Sequence, residues 1–154
     1  MTMTLTTPVT GAAQANLTSP TYSLVTGTAP DQNGRSYAVS ALGGTQTGVD
    51  VNSASRPFTI TAWWPKVLRG LQYITNSGRN VQVPKNVYKW VTRKGVSVHA
   101  DLPAELLVIT TEVSVPAGAD TLDAANIRAA MSAHLGAVAQ NSQEFGNTAV
   151  SGTP

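Results

Sequence analysis

The period of the apolar residues changes once along this chain, and the change falls at Pro116-Ala117-Gly118. Before it, 105–115 reads as a strand, with Leu107, Ile109, Thr111, Val113 and Val115 forming a nearly continuous apolar face and Val108, Thr110, Glu112 and Ser114 the other. A two-residue repeat is that of a strand with one face buried. After it, Leu122, Ile127, Met131, Leu135 and Val138 recur at near-helical spacing in an Ala-rich segment, the period of an amphipathic helix. Asp120 is the expected N-cap, with Asp123 in the position of a capping-box acid. Gly136 either ends this helix or separates it from a shorter one over 139–145, and a tail from Gly146 is expected to be extended. Strands first and helices last make an α+β arrangement on an antiparallel sheet.

The upstream segments fit that class. Residues 1–20, rich in Thr, Ala, Gly and Pro, read as an arm or an edge strand. Tyr22, Leu24 and Thr26 alternate with Ser23 and Val25. Pro30-Asp31-Gln32-Asn33-Gly34 carries both a proline and an Asn-Gly step and predicts a turn, so that 35–42 closes a hairpin. Gly43-Gly44 predicts a break, and Val49 and Val51 a short alternation. The run 56–64 places Phe58, Ile60, Ala62 and Trp64 on one face and Thr59, Thr61 and Trp63 on the other, and Pro65 stops it. Two further strands are expected, over 79–83 and 86–93; the second mixes polar and apolar groups on both faces, so its inward face stays undecided. The stretch 65–78 is left unplaced.

Dimensions add a constraint. A helix of about 15 residues is roughly 22 Å long and about 10 Å wide, whereas five strands about 4.8 Å apart span roughly 24 Å. One such helix covers only about half of the sheet's apolar face, from Ile60 and Trp64 to Ile109 and Val113. No second long helix is expected, so the simplest cover is a second copy, each helix lying over its partner's sheet. On that reading Ile60, Trp64, Ile109 and Val113 pack with Ile127, Met131 and Leu135.

The chain's 154 residues suffice for one domain, read as an arm over about 1–20, a sheet over about 22–116, helices over about 120–146 and a tail over 147–154. Cysteine is absent, which removes disulfide scaffolds, thiol catalysis and thiolate metal sites. No apolar run approaches the roughly 18 residues of a membrane span, and the N-terminus lacks the basic and apolar segments of a secretory signal. Two histidines, His99 and His134, show no H-E-x-x-H spacing. Glu105 and Glu112 are an odd number of residues apart on one strand and so point to opposite faces. No phosphate-cradling glycine loop or G-x-S-x-G occurs. The sequence therefore offers no catalytic residues, metal site or cofactor, and an enzyme is not expected.

Charge is what the chain does concentrate. Arg56, Lys66, Arg69, Arg79, Lys85, Lys89, Arg93 and Lys94 follow one another with no intervening Asp or Glu, while six of the eight acids lie from Asp101 onward. Such a basic stretch suits a surface facing a polyanion. Thr59, Thr61 and Trp63, set beside Val108, Thr110 and Glu112, would build a polar sheet face with an aromatic ring. Lys89 and Arg93, or Lys66, Arg69 and Lys85, would supply phosphate contacts around it. Hydroxyls and an indole on a flat sheet suit single-stranded RNA, whose bases can be splayed and stacked. An ordinary solvent-facing sheet rich in Thr explains the same pattern. Glu112, repelled by phosphate, would accept from a base amine or neutralise a neighbouring base.

L-V-I-T-T-E-V-S-V-P over 107–116, the Ala-Gly-Ala-Asp-Thr turn, N-I-R-A-A-M-S-A-H-L-G, and upstream R-P-F-T-I-T-A-W-W and V-P-K together resemble the coat proteins of the small single-stranded RNA bacteriophages, the levivirus group. The resemblance implies an N-terminal hairpin, a five-stranded antiparallel sheet, two C-terminal helices and an intertwined homodimer with a continuous sheet. It implies an icosahedral shell around the RNA genome, assembled in the bacterial cytoplasm, with no membrane partner and a maturation protein as a further one. It also implies that the sheet face turned from the helices binds a genomic hairpin, repressing replicase translation and marking the genome for packaging. The matching inward residues are Thr59, Thr61, Trp63, Val108, Thr110 and Glu112. Trp63 stands where the family often carries a basic group, and the loop over 94–103 matches one that changes conformation around symmetry axes. Two other classes fit the residues: a virion, tail or pilus subunit that never touches RNA, and a dimeric RNA-binding regulator.

Overall fold

A computed structural model describes residues 3–29, 31–71 and 83–153. Its strands are β1 (Val9–Thr10), β2 (Thr18–Gly27), β3 (Gly34–Thr45), β4 (Phe58–Trp63), β5 (Lys85–Val96) and β6 (Glu105–Pro116). They form a single antiparallel sheet in chain order, so neighbours in sequence are neighbours in space. The expected α+β class holds. The expected count of five strands becomes six among the described residues, because Val9 and Thr10 pair with Tyr22 and Thr21 and add a short edge.

The hairpin turn closes as the Asn-Gly step predicts, the Gly34 N–H donating to the Asp31 carbonyl at 3.2 Å. Gly43-Gly44 does not break the strand: β3 runs on to Thr45, and Gly43 pairs with Thr21 beside a register shift in β2. Gly44 takes a φ of 73°, and a Cβ there would run into the Thr18 and Ser19 carbonyls. That bulge is where glycine is required. Val49 and Val51 make no strand; the chain there is held by the Asn52 N–H on the Val39 carbonyl and the Phe58 N–H on Asn52 Oδ1. The expected strand over 79–83 lies, except for Val83, outside the described residues.

The helical half differs from expectation in three respects. It comprises α1 (Ala119–Leu122), α2 (Ala124–Gln140) and α3 (Ser142–Ser151). Asp120 is not a cap but sits in the first turn of α1; Asp123 interrupts the path at φ −142°, ψ 46° and precedes α2. Its carboxylate accepts from Asn126 Nδ2 at 2.8 and 2.9 Å. Gly136 lies within α2, and the tail expected to be extended is helical to Ser151. The added turns are tied down at their start, where Ser142 Oγ donates to the Ala13 carbonyl and Gln14 Nε2 donates to the Ser142 carbonyl, both at 2.7 Å.

Most of the strand residues of the buried core lie on the side of the sheet that faces α2. Val39 and Ala62 are fully buried and Tyr37 nearly so. Register places Tyr37, Ile60, Thr92 and Ile109 on this side, together with Trp90 and Thr111. Its cover over β2 and β3 comes from the N-terminal arm: the Leu24 N–H donates to Thr7 Oγ1 at 2.9 Å and the Leu5 N–H to Tyr37 Oη at 3.2 Å. Met3 continues the path to Tyr88 and Trp90 on β5. The arm is thus a second cover that the dimension argument did not foresee. Over β6 the face stays open, since no residue of α2 is buried and Ile109 is 53% exposed.

Candidate nucleic-acid interface

Three rungs across β4, β5 and β6 build the face turned away from α2. Thr59 pairs with Arg93 and Arg93 with Val108; Thr61 with Val91 and Val91 with Thr110; Trp63 with Lys89 and Lys89 with Glu112. All six expected strand residues share this face, as do Lys89 and Arg93. They are not side by side, however: β5 runs between the two triplets and puts Val91 at the centre. The mixed faces of β5 hid Val91 from the sequence, and only the register assigns it. Lys85 belongs to the same face by parity, opposite Pro116.

Glu112 resolves into one of its two expected roles. Lys89 Nζ lies 2.7 Å from Glu112 Oε2, and both side chains are half-exposed. The pair cancels one positive charge and settles a directly opposed cross-strand position. The Arg93 guanidinium lies 5.5 Å from the centre of the Trp63 ring. Since Arg93 and Trp63 belong to the two outer rungs, the contact crosses the middle one. Thr61 is 2% exposed and Val91 6%, a burial unusual for a sheet face with no helix on it. An exposed cation–π pair contributes about 0.5–1 kcal/mol. Gly34, paired with Trp63, leaves room for the indole, since a Cβ there would stand 3.1 Å from its Cδ1 and Nε1. The Thr61 hydroxyl lies 3.5 Å from that of Ser36.

The remaining bases divide. Arg56 bridges Asp50 and Ser97, with both contacts at 2.6 Å. Lys94 Nζ donates to the Asp50 carbonyl at 2.6 Å and lies over the Phe58 ring at 4.7 Å. Burial lowers the Lys94 pKa, Asp50 opposes that shift and Arg56 adds to it. These two bases therefore hold the start of β4 to the end of β5, where the Gly95 N–H also donates to the Pro57 carbonyl at 2.7 Å. Arg69 is attached by its main chain to Asn86, whose parity places it on the α2 side. Lys66 and Arg69 lie in the segment after β4 and do not join the three rungs; Arg79 lies outside the described residues.

On the opposite side, the expected packing residues partly converge. Val113, Ile127 and Met131 line a cavity of about 400 Å³ with Tyr88 and Trp90, and Leu135 lines a second of about 340 Å³ with Met131, Val113 and Thr111. Met131 and Leu135 remain 40% and 54% exposed. Ile60 faces this side from β4. Trp64 lies beyond the strand end, its main chain paired with Asn33: Asn33 Nδ2 donates to the Trp64 carbonyl at 2.7 Å and the Trp64 N–H to the Asn33 carbonyl at 3.0 Å. Among the described residues, no group of three or more His, Asp or Glu could hold a metal ion, and no helix is long and apolar enough to cross a membrane.

No family model matches the chain, and no curated protein does. Among solved structures, the chain is similar to the virus-like particle of bacteriophage ESE020, with 45% identity over 99% of this chain and 100% of that one and a TM-score of 0.95. The virus-like particle of Beihai levi-like virus 32 aligns at 18% identity over 81% of this chain and 84% of that one, with a TM-score of 0.45.

Proposed function

Because the chain belongs to the coat-protein family of the small single-stranded RNA bacteriophages, we propose that it pairs with a second copy through β6 and α2, that the pairs close into an icosahedral shell, and that the helix-free sheet face holds RNA inside it. The family is one of shell-forming subunits, not of enzymes.

The observation that carries the pairing is where the exposed apolar surface lies. Leu107 and Ile109 on β6, with Met131 and Leu135 on α2, are each 40% or more exposed, and β6 is a twelve-residue edge strand. Long apolar edges invite pairing with another chain, and contiguous apolar patches beyond a few hundred Å² mark interaction sites. A two-fold partner meets both needs. β6 against its copy makes the sheet continuous, and each α2 comes to lie over the other subunit's strands, closing the open cavities.

With both helical layers on one side, the rungs of Trp63, Arg93 and Lys85 remain for the enclosed RNA. Arg93 and Lys85 have no acidic partner at ion-pair distance among the described residues, so their charge is available to phosphate. The indole offers a stacking platform. Packaging of the genome, contact with a maturation protein and assembly in the host cytoplasm belong to the same reading.

The test is expression of the chain alone in bacteria, followed by electron microscopy and the 260-to-280 nm absorbance ratio of the purified product. Uniform closed particles rich in nucleic acid support the proposal. Soluble dimers that never close would make the chain a regulator, and closed particles free of RNA would leave a shell subunit without a nucleic-acid role.

A further inference from the structure

Thr61 sits on the middle rung of the proposed RNA face, between the rungs of Arg93 and Trp63, and is only 2% exposed. We propose that Trp63 and Arg93 form a lid that withholds the Thr61 hydroxyl, so that the face takes up single-stranded RNA as a stacked polyanion without reading the sequence of a hairpin. The inference rests on the RNA-holding role proposed above and concerns what that role can recognise.

Reading a sequence requires donors and acceptors placed against base edges, whereas contacts to phosphate position a strand without identifying it. Most of the candidate readers on this face are already committed. Thr61 is 2% exposed, with its hydroxyl 3.5 Å from that of Ser36. Lys89 and Glu112, the residues best suited to a base amine or carbonyl, hold each other at 2.7 Å. The Arg93 guanidinium lies over the Trp63 ring, 5.5 Å from its centre. Val91 and Val108 offer no polar atom. Thr59 and Thr110 flank the lid, but a hydroxyl both donates and accepts and so distinguishes bases poorly. What the face presents is an indole, which stacks on any base, and the charges of Arg93 and Lys85.

The test uses dimers released from assembled particles and two labelled probes: a pool of short unstructured RNAs, and a pool of random-loop hairpins of equal length. Affinities within about threefold of each other, with no sequence enriched after selection from the hairpin pool, are expected. A hairpin recovered with a tenfold or greater advantage over its pool overturns the lid and leaves the RNA role standing. Absence of binding to either pool at low salt overturns both.

Thr61→Val separates the hydroxyl from the fold. The ratio of its affinities for the two pools is expected to match that of the unaltered protein, and a loss confined to one sequence would show that the hydroxyl reaches RNA. Arg93→Gln is expected to weaken all sequences by a common factor and to flatten the plot of log affinity against log salt by about 0.7, one phosphate's share. A loss restricted to particular bases would instead make Arg93 a reader.

Discussion

Asn86 holds the main chain of Arg69 from both sides: its Oδ1 accepts the Arg69 N–H at 2.9 Å and its Nδ2 donates to the Arg69 carbonyl at 3.0 Å. One side chain thus supplies the two bonds that a neighbouring strand would, seventeen residues away in sequence, and is itself only 6% exposed. The segment after β4 is secured on the α2 side of β5 by this clamp, and its two bases with it.

Replacing Asn86 removes both bonds and leaves two main-chain groups poorly solvated, each costing about 1–3 kcal/mol when unpaired in a buried site. Asn86→Ala is expected to lower the stability of the protein by about 2 kcal/mol in urea unfolding. Asn86→Asp is expected to do worse at neutral pH, because a carboxylate would face the Arg69 carbonyl it can no longer donate to. An unchanged midpoint in both variants would mean that the clamp adds nothing to the fold.

Trp63 provides a test of stacking. Trp63→Ala removes the ring that Arg93 lies over. Single-stranded RNA is expected to bind more weakly by about 1–3 kcal/mol, the usual range for loss of a stacked base, while Trp63→Phe retains most of the affinity. Titration of released dimers with unstructured RNA measures both, and equal affinity in all three proteins would assign the ring to packing alone.

The Lys89–Glu112 pair predicts a change of opposite sign. Both groups are half-exposed, so the pair adds at most about 1 kcal/mol to stability. Glu112→Gln is expected to leave the melting curve nearly unchanged while freeing Lys89 for phosphate, so that RNA binds more tightly at low salt and its salt dependence steepens by about 0.7. Particles of the variant should also carry more nucleic acid, read as a higher 260-to-280 nm ratio.

The strand of 105–116 and the switch to helical period were legible because each is a long local pattern, and pattern survives whatever packs against it. The polar triplets on β4 and β6 were legible for the same reason. What a single segment could not reveal was register: both faces of β5 mix polar and apolar groups, and only pairing with its neighbours assigns Val91 to the middle rung and Lys89 to Glu112. Charge counting overestimated the free bases because Arg56 and Lys94 spend theirs on Asp50, six and forty-four residues away. The last turns of α3 were missed because Gly146, Asn147 and Thr148 are weak helix formers, and their anchorage comes from Ala13 and Gln14 at the other end of the chain.

Pairing through the helical side makes the sharpest prediction. Leu135 is 54% exposed in the single chain and lines an open cavity with Met131, Val113 and Thr111. A charge there costs the isolated subunit little, because the side chain already meets solvent, but in a dimer it would be carried under the partner's strands without a counter-ion. Leu135→Glu is therefore expected to keep the circular dichroism of the folded subunit, to sediment as a monomer at micromolar concentration and to form no particles. Ile109→Asp, on the exposed edge strand, is expected to do the same from the other half of the interface. If both variants still close into shells, β6 and α2 are not where the copies meet, and the exposed apolar residues of the two elements must be covered in some other way.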